Sequence, residues 1–279
     1  MTATSPMKRE PDSTFLYGAN VRANGIRQHY LRFGGKGLPL VIVPGITSPA
    51  VTWGFVAERL GRSHDVHVLD VRGRGLSETD DRLDYGVSAS AADVVSFVDV
   101  LGLGGCILMG HSYGARISLR ATSSGPPAMV SRLVVIDPPV SGPGRRSYPA
   151  EIGWYVESIR QAARGADANQ MREYLPDWSL EHLQLRAEWL HTCNEKAVNE
   201  SYRGMHDDDM FIDLPDISPP TLFIVAGKGG VIQAPDINEI RAAMPHAVVH
   251  VVESAGHMVP WDDEEAFFAA VNPFISFTS

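Results

Sequence analysis

Apolar residues fall along the chain in two periods. Short runs rich in Val, Ile and Leu occupy residues 39–43, 66–71, 106–109, 133–136, 221–225 and 248–252, and their continuity predicts strands covered on both faces. Between them, residues 51–60, 89–101, 115–121, 237–243 and 263–274 carry helix-compatible spacing and few breakers. Strand and helix alternate, which predicts a mostly parallel sheet with crossover helices. Upstream, the β-rich stretches 15–21 and 26–33 are joined through Ala23-Asn24-Gly25, a tight-turn signal that sets an antiparallel hairpin at the sheet's N-terminal edge.

The alternation stops between Pro138 and Pro219, where helical periodicity and aromatics persist without a strand. Both joints of this stretch, PPVSGPGRRSYP and LPDISPP, have the Pro/Gly-rich composition of loops. The expected organisation is a mobile tail at residues 1–13, a core of residues 14–137 and 220–279, and a helical lid at 138–219. One core with an insertion suits a chain of 279 residues.

Charge and cysteine content narrow the partners. A formal net charge of −9 argues against nucleic acid and anionic membrane, because either repels an acidic surface before contact. The polar, Pro-containing start MTATSPMKREPDST lacks the apolar stretch of a secretory signal, and no apolar run approaches transmembrane length. A cytoplasmic compartment is therefore expected. Cys106 and Cys193 show no CxxC or Cys/His metal spacing and read as two buried free thiols. No pattern in the chain sets an oligomeric state.

The chemistry concentrates in Gly110-His111-Ser112-Tyr113-Gly114, a G-x-S-x-G pentapeptide directly after one strand run and directly before a helical stretch. A sharp strand-to-helix turn there exposes the Ser112 hydroxyl as a nucleophile. That hydroxyl is weak until a base takes its proton. His257, in Ser254-Ala255-Gly256-His257-Met258, follows the last strand and precedes the final helix, so it shares the carboxyl-end face of the sheet with Ser112. His111 lies inside the turn, where its side chain is expected to point away. Oxyanion donors are expected from the backbone amides of Ile46, after the first parallel strand, and Tyr113.

These residues resemble the α/β-hydrolase superfamily across nearly the whole chain, which implies an α/β fold with a parallel sheet, flanking helices and a helical lid. Asp70-Val71-Arg72-Gly73-Arg74-Gly75-Leu76-Ser77 resembles the motif after the superfamily's next strand and reads as a loop-fixing segment. The acid departs from the common pattern. The superfamily usually places it after the penultimate strand, where this chain has Gly227-Lys228-Gly229-Gly230-Val231. Asp137, at the tip of the strand after the nucleophile helix, is the favoured alternative; Pro138 behind it is expected to hold it extended. Asp236 remains a rival.

A finer resemblance runs through NGIRQHYLRFGGKG, VPGITSPAVTWGFVAERLG, VLDVRGRGLSE, DPPVSGPGRRSYP, RAEWLHTC, VAGKGGVI and AGHMVPWDD. Together these stretches resemble the family of deformylases acting on N-formylmaleamate, in lid as well as core. The resemblance implies a Ser112, Asp137 and His257 triad, no cofactor and a small anionic amide substrate. A carboxylate on that substrate calls for a local cation. The lid offers Arg145, Arg146, Arg186 and His191 for it, and Trp154, Tyr155, Trp178 and Trp189 as apolar walls. The same triad also serves enol-lactonases and small carboxylester esterases, and a hydrolase-like receptor keeps the pocket without turnover. Asp207-Asp208-Asp209 and the Gly227–Gly230 stretch read as solvated loop and turn, with no metal or phosphate site.

Overall fold

The computed structural model describes residues 13–276, so the expected tail lies outside the described residues except for Ser13. Eight strands are present: β1 (Phe15–Ala23), β2 (Ile26–Phe33), β3 (Pro39–Val43), β4 (Asp65–Leu69), β5 (Cys106–His111), β6 (Val130–Ile136), β7 (Thr221–Ala226) and β8 (Val248–Val252). They form one sheet in the order β1-β2-β4-β3-β5-β6-β7-β8. The β1–β2 hairpin is antiparallel and joins β4 antiparallel, while β3 to β8 run parallel. Asn24 and Gly25, both at positive φ, make the hairpin turn.

Central strands are buried on both faces, and side chains divide between them with period two. Val41 and Val43 of β3, Leu108 of β5, Leu133 and Val135 of β6, and Phe223 of β7 enter one apolar cluster. Their neighbours Leu40, Ile42, Met109, Val134, Ile136 and Ile224 enter the other. This is why the strands read as continuous apolar runs. Helices α1 (Gly54–Leu60), α2 (Val87–Val100) and α3 (Tyr113–Ser124) belong to the first half of the chain. Val94 and Phe97 of α2 and Ile117 of α3 pack in the first cluster, and Val56 and Leu60 of α1 in the second.

Between β6 and β7 lie α4 (Ile152–Ala163), α5 (Ala168–Met171), α6 (Leu180–Trp189) and α7 (Glu195–Asp207), with short 3₁₀ turns. The starts of α5, α6 and α7 are marked by Asp167, Ser179 and Asn194, whose side chains accept amide hydrogens of the first turn. Two buried arginines fasten this insertion to the core. Arg116 of α3 donates to the carbonyls of Pro139, Ser141, Met205 and Asp208. Arg74 donates to the carbonyls of Ile46, Arg72 and Ala197 and to the Ser201 hydroxyl. A stack of Trp178 on Trp261, 5.1 Å between ring centroids and 3° from parallel, adds a third tie.

The chain closes with α8 (Ala234–Ala243), α9 (Val259–Asp262) and α10 (Glu264–Ile275). The helix expected at 263–274 is α10, which Asp263 caps by accepting from Ala266 N–H, and the short α9 precedes it. Among the described residues, no helix is long and apolar enough to cross a membrane.

Candidate active site

Ser112 sits between β5 and α3 at φ 54° and ψ −122°. Left-handed backbone of this kind costs a non-glycine residue about 1–3 kcal/mol, and close packing holds it. The Ser112 N–H donates to Ile136 O at 2.8 Å. A Cβ at Gly114 would overlap the Val43 carbonyl, so only glycine lets α3 start this close to β3. The turn lifts the hydroxyl to the carboxyl-end edge of the sheet.

His257 approaches from the loop after β8. Its Nε2 lies 2.9 Å from Ser112 Oγ, and its Nδ1 lies 2.6 Å from Oδ2 of the fully buried Asp137. A carboxylate at Nδ1 holds the proton there and turns the Nε2 lone pair toward the hydroxyl. Asp137 Oδ1 accepts from Ala226 N–H at 3.2 Å, which fixes the carboxylate plane. Asp137 is not extended as Pro138 suggested: its φ is +42°. A short polar side chain tolerates this left-handed conformation, and its N–H donates to Ile224 O. Gly229 explains the missing carboxylate after β7. A Cβ there would stand 2.7 Å from Ala226 Cβ, 3.1 Å from His257 N and 3.3 Å from Asp137 Oδ2, so a side chain would crowd the end of β7 first and then the pair.

The hydroxyl opens into a cavity of about 580 Å³. Gly45, Ile46, Thr47, His111 and Met258 line its core side; Tyr148, Trp154, Tyr155, Leu175 and Arg186 line its insertion side. Tyr113 is the first residue of α3, where amides have no intrahelical acceptor. Arg74 Nε holds the Ile46 carbonyl at 3.0 Å and so fixes the loop carrying the other amide. Asp70 ties the same region by accepting from the Ala50 and Leu76 amides and His29, in keeping with a loop-fixing segment.

Arg186 is the unusual group. It is buried, its Nε has no hydrogen-bond partner among the described residues, and its terminal nitrogens reach only Thr47 O at 3.3 Å and Thr47 Oγ1 at 3.4 Å. Burial pushes its guanidinium below the usual arginine value. An under-bonded buried cation at a cavity wall has donors to offer an anion. Tyr148 completes the insertion side, with its hydroxyl 3.1 Å from His257 Nε2 and 3.3 Å from the Tyr155 hydroxyl. Burial raises the Tyr148 phenol well above its usual value, so it stays protonated.

Residues 40–271 match the alpha/beta hydrolase family. The chain belongs to that family. It is 56% identical over 263 residues, 94% of this chain and 98% of its relative, to N-formylmaleamate deformylase of Pseudomonas putida. A crystal structure of a variant N-formylmaleamic acid deformylase from Pseudomonas putida superposes with a TM-score of 0.88 at 54% identity, covering 91% of this chain and all of that one. An esterase of Escherichia coli is 26% identical, over 85% of this chain and 93% of its own length.

Several expected residues of this alpha/beta hydrolase stand elsewhere. Arg145 is bonded to Asp209 and to both carboxylate oxygens of Glu239. Arg146 holds Asp236 through both oxygens and also donates to Val231 O. Neither lines the cavity, since acids remote in sequence have satisfied both. The same pair removes Asp236 as a partner for His257: burial raises its carboxyl, but Arg146 outweighs this and holds it below the usual range. His191 is exposed and Trp189 half-buried, both off the cavity, because the helix turns only its Arg186 face inward. Trp178 is spent on its stack with Trp261.

His111 departs from expectation in the opposite sense. Its ring lies 5.1 Å from that of His257, and its Nε2 is 2.9 Å from the His257 carbonyl. Burial, then the neighbouring His257, pushes it down to about 3, so it is neutral. It steadies the loop without reaching the Ser112 hydroxyl. Tyr148 went unseen in the sequence: it stands in the Pro/Gly-rich joint after Asp137, and Tyr148-Pro149 is the only local sign of a fixed phenol. Among the described residues, no group of three or more His, Cys, Asp or Glu is placed to hold a metal.

Proposed function

We propose that the chain hydrolyses N-formylmaleamate to maleamate and formate, through a formyl ester on Ser112. The observation that carries this reading is the 56% identity, spanning core and insertion alike, to the deformylase of that name. The cavity supports it: one under-bonded cation suits one carboxylate, and aromatic walls suit a flat conjugated amide.

In this reading Arg186 holds the maleamate carboxylate, and Trp154 and Tyr155 flank the conjugated chain. The formyl carbon then lies over Ser112 Oγ. His257 takes the hydroxyl proton as Oγ adds to the formyl carbon, and Asp137 stabilises the imidazolium. The amides of Ile46 and Tyr113 receive the oxyanion; one such donor is worth about 10²–10³ in kcat. The C–N bond breaks, its electron pair leaves with the nitrogen, and the imidazolium supplies the proton that makes maleamate. Water adds to the formyl ester as His257 takes its proton. Collapse returns that proton to Oγ and releases formic acid, which ionises to formate. Residues 138–219 act as a lid that keeps other water away, and the compartment is the cytoplasm.

The test is formate release from N-formylmaleamate by the purified protein and by Ser112→Ala. We expect turnover by the parent and a loss of about 10⁵-fold or more in the variant. A folded parent that releases no formate, yet cleaves an enol-lactone or a short ester, overturns the reading.

A further inference from the structure

We infer that Tyr148 is a further catalytic residue, whose hydroxyl holds the oxygen of the departing amide as its C–N bond breaks. The inference rests on the proposed amide substrate and starts from one nitrogen faced by two hydroxyls. His257 Nε2 lies 2.9 Å from Ser112 Oγ and 3.1 Å from the Tyr148 hydroxyl. With the Nδ1 proton committed to Asp137, Nε2 has one lone pair. Only one of the two hydroxyls can donate to it at a time. Serine needs that acceptor for attack, so the tyrosine has another use.

The chemistry of the substrate supplies one. A nitrogen joined to a formyl group on one side and to a second carbonyl on the other is expelled as an amidate, with negative charge shared by the second carbonyl oxygen. That oxygen lies on the leaving-group side of the scissile bond, where Nε2 must deliver its proton. Tyr148 occupies this side, between the imidazole and the Tyr155 hydroxyl that donates to it, with Arg186 on the same wall of the cavity. Once Nε2 has taken the serine proton it can no longer accept, so the Tyr148 hydrogen is released to the leaving oxygen as charge gathers there. Tyr148 donates a hydrogen bond and keeps its proton: burial holds the phenol well above its usual value. The C–N electron pair goes to the amidate, the proton comes from His257, and the formyl ester remains on Ser112. Such help is needed by a poor leaving group and is almost without effect on a good one.

Tyr148→Phe removes one oxygen and keeps the ring. In the parent and this variant we would measure kcat and KM for N-formylmaleamate and for 4-nitrophenyl acetate, whose phenolate leaves unaided, with the rate of fluorophosphonate labelling of Ser112 reporting the triad. The expected result is a fall of about 100-fold in kcat for the acyl amide, with KM changed far less, a fall at least tenfold smaller for the ester, and labelling near the parent rate. Equal losses on both substrates, or loss of labelling, make Tyr148 structural and overturn the inference; so does an unchanged kcat for the amide. A parent that leaves N-formylmaleamate intact while cleaving the ester overturns the proposed substrate and this role together, and is told apart because the parent itself fails.

Discussion

On its core side the cavity takes its chemistry from strand ends, whereas on its insertion side it takes it from a loop and helices fastened over those ends by buried arginines. Ser112, Asp137 and His257 follow β5, β6 and β8, and parallel strands bring their carboxyl ends to one edge whatever the sequence between them. No such rule orders the insertion, where the roles of similar residues diverge. Arg116 and Arg186 are both buried arginines without a close carboxylate partner for most of their donors. Arg116 spends its hydrogens on four carbonyls and joins two parts of the chain. Arg186 donates only to Thr47, at long range, lies 6.0 Å from the centre of the Trp154 ring, and lines the cavity. The difference separates a cation whose donors are spent on the fold from one whose donors are largely unspent beside the cavity.

The sharpest way to break the comparison is on the core side. Asp137→Asn is expected to lower kcat by about 10⁴-fold with the fold retained, since the histidine loses its orienting acceptor. Asp236→Asn, which frees Arg146 and weakens the bond from Gln233 N–H that caps α8 but leaves His257 untouched, is expected to change formate release by less than about threefold. Steady-state assays with circular dichroism distinguish the two. Comparable losses in both variants would return the acid to Asp236.

The insertion side is tested by exchanging the two arginines in turn. Arg186→Met is expected to raise KM for the anionic amide by about 30- to 100-fold, the worth of a charge-assisted hydrogen-bond pair, with no fall in melting temperature, because a poorly bonded buried charge is replaced by apolar volume. Arg116→Met leaves four carbonyls short of donors and is expected to cost about 3 kcal/mol or more in unfolding free energy. Denaturant titration and KM measured on both variants set the pattern; Arg186→Met with an unchanged KM would end its assignment to the substrate.

A smaller effect concerns pH. Folded His111 titrates at about 3, far below an unfolded histidine near 6.5. The unfolded chain therefore binds the proton first, and this group's contribution is complete above pH about 6.5 and is lost as pH falls toward 3. His111→Asn is expected to lose less stability between pH 7 and 4 than the parent, by about 3 kcal/mol. Urea titrations at the two pH values check it, and parallel acid limbs would contradict it.

How much of this was legible in the sequence follows the same division. The strand runs, the G-x-S-x-G turn and the loop histidine could be read because each signal is local: a run, a pentapeptide, a position after a strand. The strand tip points to Asp137, which the structure sets beside His257, yet its backbone is left-handed rather than extended, with its N–H bonded to Ile224 O. Arg145 and Arg146 looked like anion receptors because their acids, Asp209, Glu239 and Asp236, lie far along the chain. Tyr148 was invisible for the converse reason: what makes it chemical is a histidine 109 positions away. Tertiary pairing consumes some charges and recruits some phenols, and local spacing carries neither fact.

The central claim, that formate leaves through an acyl bond to Ser112, is tested most directly by titrating the protein with a fluorophosphonate while following formate release from N-formylmaleamate. The account predicts that activity falls in proportion to label incorporated, with the label on the peptide carrying Ser112 and none taken up by Ser112→Ala. Full labelling of Ser112 with formate release undiminished would contradict it.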